Sequence, residues 1–376
     1  SNPNTVYAFV DNHHIDTSAK ATVDSYGRKQ TRKVYGAQVY RSNNKGESWT
    51  KMSADTGAID NLTSTYGWVF GQIRVDPNDA NTLYVMGVPL LKSTDGGRTY
   101  QKLSDEGLHG DHHALWIDPD NSDLLINGND GGVNISHDQG SSWYNVENLP
   151  IVQFYNVHYD MEDPFRVYGS VQDNGCFRGP IDHQPGVDST KEWERIPGGE
   201  ATYIVVDKDN PDILFNSSFY GRLRRCEYVG DEWKVKKILT EAEAGEPDLR
   251  GQWLAPTIMS PHDDSVLYHG MQFVFKTTDR GDTWEKISPD LSNYDPQQQG
   301  SSFYAINYAT ISTLSESPLK EGLIYAGTDD GNLHITRDGG AVWTMVIQGL
   351  PRGKHVSRVV ASAHNEGTVY LTLNGK

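Results

Sequence analysis

The sequence lacks the features by which several classes of protein are recognised. It contains no run of about 18 apolar residues, so no membrane-spanning helix is predicted. No signal-peptide pattern occurs at its first residues. A phosphate-binding P-loop, a dinucleotide-binding fingerprint and a nucleophile elbow are also missing, which argues against sites of those three kinds.

Basic residues and cysteines are few. The 33 lysines and arginines are outnumbered by 50 aspartates and glutamates, which gives a formal net charge of −17. Such a charge disfavours nucleic acid and anionic membranes as partners and leaves neutral glycans and cations open. The two cysteines, Cys176 and Cys226, could form one disulfide, although free buried thiols are the simpler expectation.

Long helical patterns are almost absent, and the sequence contains a repeated turn instead. The stretch "LTEAEAGEPDL" near residue 239 is the only one with some helical character, and it reads better as a loop. The repeated pattern is Ser/Thr-x-Asp-x-Gly-x-x-aromatic, and a weaker copy has Asn44 in place of the aspartate and closes at Trp49. The four clear copies comprise Ser93, Asp95, Gly97 and Tyr100; Ser136, Asp138, Gly140 and Trp143; Thr277, Asp279, Gly281 and Trp284; and Thr336, Asp338, Gly340 and Trp343.

Each position of this pattern has a local structural reason. The short polar side chains bond to backbone groups inside a tight turn, and the glycine adopts a positive φ without steric cost. The aromatic residue begins the next strand and buries a large apolar area. Because the copies lie between short β-rich runs, they indicate hairpins. We therefore assign these residues to the fold and not to catalysis.

The spacing of the closing aromatic residues predicts the architecture. Together with Trp193 and Trp233 they recur at intervals of 51, 43, 50, 40, 51 and 59 residues. A period of about 40–50 residues is the length of one propeller blade. The sequence therefore predicts an all-β fold, a β-propeller of four-stranded antiparallel blades that is most simply seven-bladed, with residues 1–376 as a single domain.

The first and last segments add a further expectation. The chain opens at "SNPNTVYAFVD", which reads as the second strand of a blade, and closes with a first and a second strand. Either these segments complete a seven-bladed ring together, or the chain is a piece of a larger or tandem propeller. The surplus strand favours the second alternative, since an open edge strand invites aggregation.

The repeated turns resemble those of the BNR/Asp-box propellers, which include sialidases, xyloglucanase-type glycoside hydrolases and the sortilin ectodomain. Residues 111–143, 284–292 and 311–344 look like secreted bacterial proteins described as sortilin-like or BNR-repeat glycosyl-hydrolase-like. The resemblance covers essentially the whole chain. It implies an extracellular, periplasmic or cell-surface protein, typically longer than this chain, that is either a receptor or a hydrolase.

Two enzyme classes within that resemblance make specific demands. A sialidase would need three arginines that grip a carboxylate, and the nearest candidates, Arg74, Arg250 and Arg358, lie in no sialidase-like motif. Xyloglucanase-type enzymes use two carboxylates that face each other across a cleft, and they commonly pair two propellers, whereas this chain shows one.

Candidate binding residues come from the segments that lead into the first strand of each blade. In a propeller these segments share one face, around the mouth of the central channel, with the turns that follow the second strands. Aromatic or histidine side chains there could bind a sugar ring, although packing between blades is the alternative. The candidates are Trp68, His113, Tyr155, Tyr203, Trp253 and Tyr304.

The segment "HGDHH" is the densest polar cluster. His109, Asp111 and His113 are of the residue types that bind a divalent metal, and the histidines could also act as acid or base near neutral pH. Alternatively, Asp111 caps a turn and the histidines hydrogen-bond between blades. No cofactor is required by the sequence, and a divalent metal is the possible one.

Acidic residues expected near the same mouth form a pool of candidate catalytic residues. Hydrolysis of a glycoside needs two carboxylates about 5–10 Å apart, one protonated and one charged. Several members of the pool lie in turns with Asp-Gly or Asn-Gly, which are ordinary residues of type I′ hairpin turns. The pool comprises Asp111, Asp130, Asp173, Glu200 and Asp329, and the sequence does not single out a pair.

The function predicted from the sequence is that of an exported propeller that binds a glycan or peptide ligand at its channel mouth. The alternative is a glycoside hydrolase that acts on a β-glucan-type polysaccharide through paired carboxylates. The missing catalytic motifs and the missing second propeller favour the binder. Expected partners are a polysaccharide or peptide, together with further domains of its own chain, without nucleic acid and without membrane insertion.

Overall fold

The regular secondary structure of the protein, in a computed structural model, is almost entirely β-strand. The structure describes residues 2–15, 22–23, 29–30, 34–53, 59, 62, 67, 69–103, 107–147, 149, 152–172, 174–182, 192–238, 240–242, 245, 247–294, 307–346 and 348–374. Within these ranges the regular elements are strands, apart from one 3-10 turn at Phe219–Gly221 and the single helical residues Ile59 and Glu192. No helix in this part of the chain has the length and apolar character that a membrane crossing requires.

The chain divides into two compact units. Unit 1 comprises residues 1–149 with 301–303, and unit 2 comprises residues 150–300 with 304–376. The predicted single domain over residues 1–376 stays a prediction.

Unit 1 contains two four-stranded sheets, one three-stranded sheet and a short hairpin in its described residues. The three-stranded sheet joins β1 (Val6–Ile15), β4 (Val34–Ser42) and β5 (Thr50–Lys51), and the hairpin joins β2 (Thr22–Val23) and β3 (Lys29–Gln30). The four-stranded sheets are β6 (Ile73–Val75), β7 (Leu83–Met86), β8 (Leu90–Ser93) and β9 (Gln101–Lys102), then β10 (His112–Ile117), β11 (Leu125–Asn129), β12 (Gly132–Ser136) and β13 (Tyr144–Asn145).

Unit 2 contains four four-stranded sheets and a final pair of strands over its described ranges. The first two sheets are β14 (Phe154–Tyr159), β15 (Arg166–Val171), β16 (Gly175–Pro180) and β17 (Glu194–Ile196), then β18 (Tyr203–Val206), β19 (Ile213–Ser218), β20 (Arg222–Val229) and β21 (Glu232–Lys237). The next two are β22 (Thr257–Met259), β23 (Leu267–Gly270), β24 (Val274–Thr277) and β25 (Glu285–Lys286), then β26 (Ile311–Glu316), β27 (Ile324–Thr328), β28 (Leu333–Thr336) and β29 (Thr344–Met345). The final pair is β30 (His355–Ala361) and β31 (Val369–Asn374).

Each four-stranded sheet is an antiparallel meander, because its strands pair in sequence order. This is the organisation of a propeller blade, and the predicted fold class, an all-β propeller of four-stranded antiparallel blades, is confirmed. The seven aromatic residues that set the repeat each lie at or next to the start of the last strand of a sheet. They are Trp49, Tyr100, Trp143, Trp193, Trp233, Trp284 and Trp343.

The first strands of successive sheets pack against one another in unit 2. β14 packs on β18, β18 on β22, β22 on β26 and β26 on β30. A side-chain contact links two of these strands that are not neighbours: Arg358 of β30 donates from Nη1 to the hydroxyl of Tyr203 on β18, at 3.3 Å. The first strands of unit 2 therefore curve around a common axis, as the inner strands of blades do.

Apolar side chains fill the space between consecutive sheets. In unit 2, Tyr168 and Cys176 of one sheet pack with Ile204, Leu214 and Cys226 of the next, and all five are buried. Burial of each large apolar side chain contributes about 1.5–3 kcal/mol to folding, so a blade depends on its neighbour for stability. Both cysteines are free thiols in this core, in agreement with the simpler of the two expectations from the sequence.

Candidate functional site

The repeated turns hold their aspartates inside a ring of hydrogen bonds. After β8, the Ser93 hydroxyl donates to Asp95 Oδ1 at 2.8 Å and accepts from the Gly97 amide at 2.9 Å. The amide and hydroxyl of Thr99 donate to the two carboxylate oxygens of Asp95 at 3.0 and 2.7 Å. Although burial raises it, the hydrogen bonds from Thr99 bring the pKa of Asp95 down to about 2.

The other copies repeat this geometry with one informative variation. Hydrogen bonds from Ser142 lower the pKa of Asp138 to about 2, and those from Thr283 do the same for Asp279. Asp338 receives the amide of Val342 at 3.0 Å, and the valine has no hydroxyl to add. Each carboxylate is engaged within its own turn, which favours the assignment of these residues to the fold.

The asparagine copy shows that the turn does not depend on charge. Asn44 Oδ1 accepts from the Ser42 hydroxyl at 2.8 Å and from the Ser48 amide at 3.0 Å. Its Nδ2 donates to the Ser48 hydroxyl at 2.9 Å, where an aspartate would accept. A pattern that tolerates this exchange is a folding device and not an acid–base site.

Asp329 is a buried carboxyl at the mouth end of unit 2, by which we mean the end where first strands begin and second strands finish. It directly follows β27 and is 8% exposed. Its Oδ1 accepts from the Thr310 amide at 2.9 Å, and its Oδ2 accepts from the Thr310 hydroxyl at 2.8 Å. Oδ2 also accepts from the side-chain amide of Gln252 at 3.1 Å. Three successive segments of the chain therefore meet at this carboxyl.

The environment of Asp329 favours its protonated form. Burial raises its pKa to about 6, the neighbouring Asp330 acts in the same direction, and the hydrogen bonds from Thr310 oppose both. A carboxyl with such a pKa carries a proton in mildly acidic solution and can donate it, which is what a general acid needs. Asp330 is held differently, since its oxygens accept from the Thr328 hydroxyl at 2.5 Å and the Asn293 amide at 2.6 Å.

An aromatic cluster adjoins this carboxyl through Gln252. The Gln252 Oε1 accepts from the Trp253 amide at 2.6 Å while its Nε2 donates to Asp329. The Trp253 ring packs against Phe219 and Tyr220 with centroid distances of 4.5 and 5.4 Å. Tyr220 has a left-handed backbone with φ of 59°, which costs free energy in a bulky residue and marks a tightly determined turn. Trp253 is half-buried.

Glu200 lies at the same end of unit 2. It precedes β18, and its Oε1 accepts from the hydroxyl of Tyr155 at 3.1 Å. Tyr155 belongs to the start of β14, where the ladder to β15 is interrupted between Phe154 and Val157. Such an irregularity turns side chains away from the alternation of a regular strand. This places two residues predicted for ligand binding and catalysis in direct contact.

In the histidine segment of unit 1, His113 pairs with Asp130. His113 Nε2 lies 2.9 Å from Asp130 Oδ1, and the imidazole packs 5.2 Å from the Phe70 ring. The His109 Nδ1 lies 3.1 Å from the carbonyl of Gly110. In the part of the chain that the structure describes, no three His, Cys, Asp or Glu residues are arranged to hold a metal ion. The predicted metal set of His109, Asp111 and His113 stays a prediction.

Asp111 lies directly before β10. Its backbone is left-handed, with φ of 59°, and its amide donates to the carbonyl of Val88 at 2.9 Å. The ladder between β10 and β11 is irregular between His112 and Ala114, so His113 has no paired residue in it.

The three arginines considered for a carboxylate grip have separate surroundings. Arg74 donates to the Ile73 carbonyl at 3.0 Å. Arg250 pairs with Asp290 at 2.8 Å and stacks on Tyr294 at 4.3 Å. Arg358 contacts Tyr203. Three further predicted site residues, Trp68, Asp173 and Tyr304, lie outside the described residues.

Sequence reasoning missed the residues that set the properties of Asp329. Gln252 and Thr310 belong to no motif, and ordinary polar residues beside a first strand give no signal of their own. Trp253 was singled out as an aromatic residue, so its neighbour Gln252 could have been found by asking what orients it. Phe219 and Tyr220 follow a second strand, a position where only acidic turns were considered.

Comparisons with known proteins point to xyloglucanases. No protein-family model matches the chain. The chain is 24% identical over 337 residues to the oligoxyloglucan-reducing end-specific xyloglucanase of Emericella nidulans. The aligned region covers 82% of this chain and 38% of that protein. It is 29% identical over 183 residues to a xyloglucanase of Acetivibrio thermocellus. That aligned region covers 45% of this chain and 20% of the relative. The chain thus spans less than two fifths of these relatives, and the wider Asp-box resemblance stays a prediction.

Two solved structures are similar at a low level. A GH74 xyloglucanase from Xanthomonas campestris is 14% identical, with 93% of this chain and 63% of that chain covered and a TM-score of 0.28. The extracellular domain of a hybrid two-component system from B. thetaiotaomicron is 14% identical, with 81% and 36% covered and a TM-score of 0.38. TM-scores this low add nothing to the functional argument.

Proposed function

We propose that this chain forms part of a glycoside hydrolase that acts on a xyloglucan-type β-glucan, with Asp329 as its general acid. The observation that carries the proposal is the buried Asp329 carboxyl, whose pKa is raised to about 6 beside an aromatic cluster. The names of the relatives favour this hydrolase over the binder that the sequence predicted first. A polysaccharide does not cross membranes, so the proposal places the protein outside the cytoplasm.

Asp329 supplies the proton for the leaving sugar in this mechanism. Cleavage of a glycosidic bond needs an acid that protonates the bridging oxygen as the bond breaks. Thr310 and Gln252 fix the orientation of the carboxyl through three hydrogen bonds. Trp253 offers an apolar face on which a sugar ring can stack, one residue from the group that orients the acid.

Glu200 is the second carboxylate in the proposal. It lies at the same end of unit 2 as Asp329, and the Tyr155 hydroxyl stabilises its charged form by donating a hydrogen bond. A charged carboxylate either attacks the anomeric carbon or activates a water, depending on its separation from the acid. The proposal requires about 5–10 Å between the two carboxyl groups.

A leaving-group experiment tests the role of Asp329. The full-length protein and its Asp329→Asn and Glu200→Gln variants are assayed on xyloglucan oligosaccharides and on an aryl glycoside whose phenolate leaves without protonation. We expect Asp329→Asn to lose about 10²–10⁴-fold in rate on the oligosaccharide and much less on the aryl glycoside. Glu200→Gln should lose rate on both substrates.

The outcomes separate the proposal from its competitors. Equal losses on both substrates for Asp329→Asn would remove the general-acid role. A wild-type rate in Glu200→Gln would exclude Glu200 as the second catalytic carboxylate. Asp231→Asn serves as the matched control, because Asp231 is exposed and has a left-handed backbone, with φ of 65°, that asparagine tolerates.

A binding protein without turnover is the second candidate. The aromatic cluster of Phe219, Tyr220 and Trp253 favours it, since stacking on a sugar ring needs no carboxylate. Xyloglucan binding that is retained in Asp329→Asn but lost in Trp253→Ala, together with no turnover by the full-length protein, would replace the hydrolase by this binder.

A further inference from the structure

Three side chains from three sheets of unit 2 meet where its first strands converge. Arg358 on β30 donates from Nη1 to the Tyr203 hydroxyl at 3.3 Å. The His158 ring on β14 packs edge-on against the Tyr203 ring, with centroids 4.9 Å apart. We call Arg358, Tyr203 and His158 the axial cluster. It is distinct from the Asp329 carboxyl and shares no residue with it.

The axial cluster carries a positive charge that no carboxylate neutralises within the described residues. Other arginines of unit 2 have acidic partners, such as Arg166 with Asp160 at 2.7 Å and Arg225 with Asp282 at 2.9 Å. Arg358 is exposed, and within the described ranges its side chain hydrogen-bonds to Tyr203. A guanidinium has five N–H donors, so several remain available to a ligand in a protein whose net charge is −17.

β14 carries two buried polar atoms without a partner, one of them on His158 of the axial cluster. Asn156 Nδ2 and His158 Nε2 are both buried, and neither has a hydrogen-bond partner among the described residues. They lie on the less exposed side of the strand, since Val157 and Tyr159 are exposed between and beyond them. Buried polar atoms are nearly always bonded, so donors of this kind mark a place where a ligand or water completes the bonding.

The histidine contributes as a neutral donor and not as a second charge. Burial and the nearby Arg358 lower the pKa of His158 to about 4. The ring therefore carries one N–H near neutral pH, and the positive charge of the cluster comes from Arg358 alone. The groups of the cluster that can donate are a guanidinium, a phenol and an imidazole, with an amide beside them.

We propose that the axial cluster binds the carboxylate of an acidic sugar, with Arg358 and the Tyr203 hydroxyl as its principal contacts. The planar guanidinium matches a carboxylate in a two-bond arrangement, and the hydroxyl adds a third donor on the same side. Tyr203 also presents an aromatic ring, which a sugar can contact while its acid group meets Arg358. This inference holds whether or not the chain hydrolyses a polysaccharide.

Calorimetric titration of the full chain tests the inference. Glucuronate is the probe, glucose is the neutral control and inorganic phosphate is the other anion. We expect glucuronate to bind at least about tenfold more tightly than glucose or phosphate. Arg358→Gln should weaken glucuronate binding about tenfold or more, and Tyr203→Phe about threefold, because it removes one hydrogen bond and keeps the ring. Arg352→Gln, an exposed arginine six positions away, should leave binding unchanged.

Several results would overturn the inference. Equal affinity for glucuronate and glucose removes the charge recognition, and tighter binding of phosphate removes the carboxylate as the ligand class. If Arg352→Gln and Arg358→Gln weaken glucuronate binding equally, the binding reflects general attraction to positive charge and not a specific site. Circular dichroism and thermal melting verify that each variant is folded. Should Arg358→Gln fail to fold, Tyr203→Phe decides the question, and wild-type affinity in that variant counts against the proposal.

Discussion

Thr310 donates two hydrogen bonds to Asp329, one from its backbone amide at 2.9 Å and one from its hydroxyl at 2.8 Å. Both bonds stabilise the charged carboxylate, yet the pKa of Asp329 is raised to about 6. Burial therefore outweighs the two donors, and the carboxyl is held in position without being held ionised. Position and protonation are set by different parts of the site.

The raised pKa of Asp329 makes folding stability depend on pH. A carboxyl whose pKa is higher in the folded state than in the unfolded state stabilises the fold when protonated. This contribution is fully present below the ordinary carboxyl pKa of about 4, and it is lost as the pH rises through about 6. We expect Asp329 to lower the free energy of unfolding by about 1–3 kcal/mol between those limits.

Urea unfolding at about pH 4 and about pH 7 measures this contribution. Asp329→Asn lacks this titrating carboxyl. Its free energy of unfolding should therefore lose about 1–3 kcal/mol less than that of the wild type between the lower and the higher pH. Asp231→Asn, at an exposed position, should retain the wild-type change. A wild-type pH dependence in Asp329→Asn would show that this carboxyl ionises with an ordinary pKa.

Two tryptophans at equivalent turn positions differ in one hydrogen bond. Trp284 Nε1 donates to the Ile238 carbonyl at 2.9 Å, whereas Trp143 Nε1 is buried and has no partner in the described ranges. We expect Trp284→Phe to destabilise the protein by about 1 kcal/mol more than Trp143→Phe, because it leaves the Ile238 carbonyl unsatisfied. Denaturant unfolding of the two variants gives the difference, and equal losses would mean that the bond to Ile238 adds nothing.

The fold could be predicted from the sequence because its signals are local and repeated. The turn from Ser93 to Thr99 closes through bonds between residues at most four positions apart, and the same residues recur at blade spacing. Even Trp233, which has no turn motif before it, was placed correctly by its interval. A turn that is closed by local hydrogen bonds and repeated along the chain can be predicted without knowledge of tertiary contacts.

The candidate site could be predicted only in part, because its properties depend on contacts across the sequence. Asp329 was one of five acidic candidates, and its distinction comes from Gln252, 77 positions away. The proposed pairing of Arg358 with Tyr203 spans 155 positions. Contacts of this range leave no trace in residue type or spacing, and the metal set of His109, Asp111 and His113 stays a prediction.

Val342 occupies the turn position where other copies have a serine or threonine. The hydroxyls of Thr99, Ser142 and Thr283 each donate to the aspartate of their own turn. We expect Val342→Thr to supply the missing donor to Asp338 and to raise the melting temperature. It should also bring the Asp338 pKa, already lowered by Thr336 and the Val342 amide, further down.

NMR titration of the Asp338 carboxyl and thermal melting check this prediction. Val342→Ala is the matched control, because it removes apolar surface without adding a hydroxyl and should leave the Asp338 pKa in place. A Val342→Thr variant with an unaltered Asp338 pKa would show that the threonine hydroxyl points elsewhere.

The two cysteines should be unreactive until the protein unfolds. Both thiols are buried, and burial raises the pKa of Cys176 to about 11 and that of Cys226 to about 12. The thiolate is the reactive form, so at about pH 8 almost none is present in the folded state. A thiol reagent should therefore label the native protein slowly and label both cysteines at once in denaturant. Rapid labelling of either residue in the native protein would place it at the surface, and labelling that requires a reductant would reveal a disulfide.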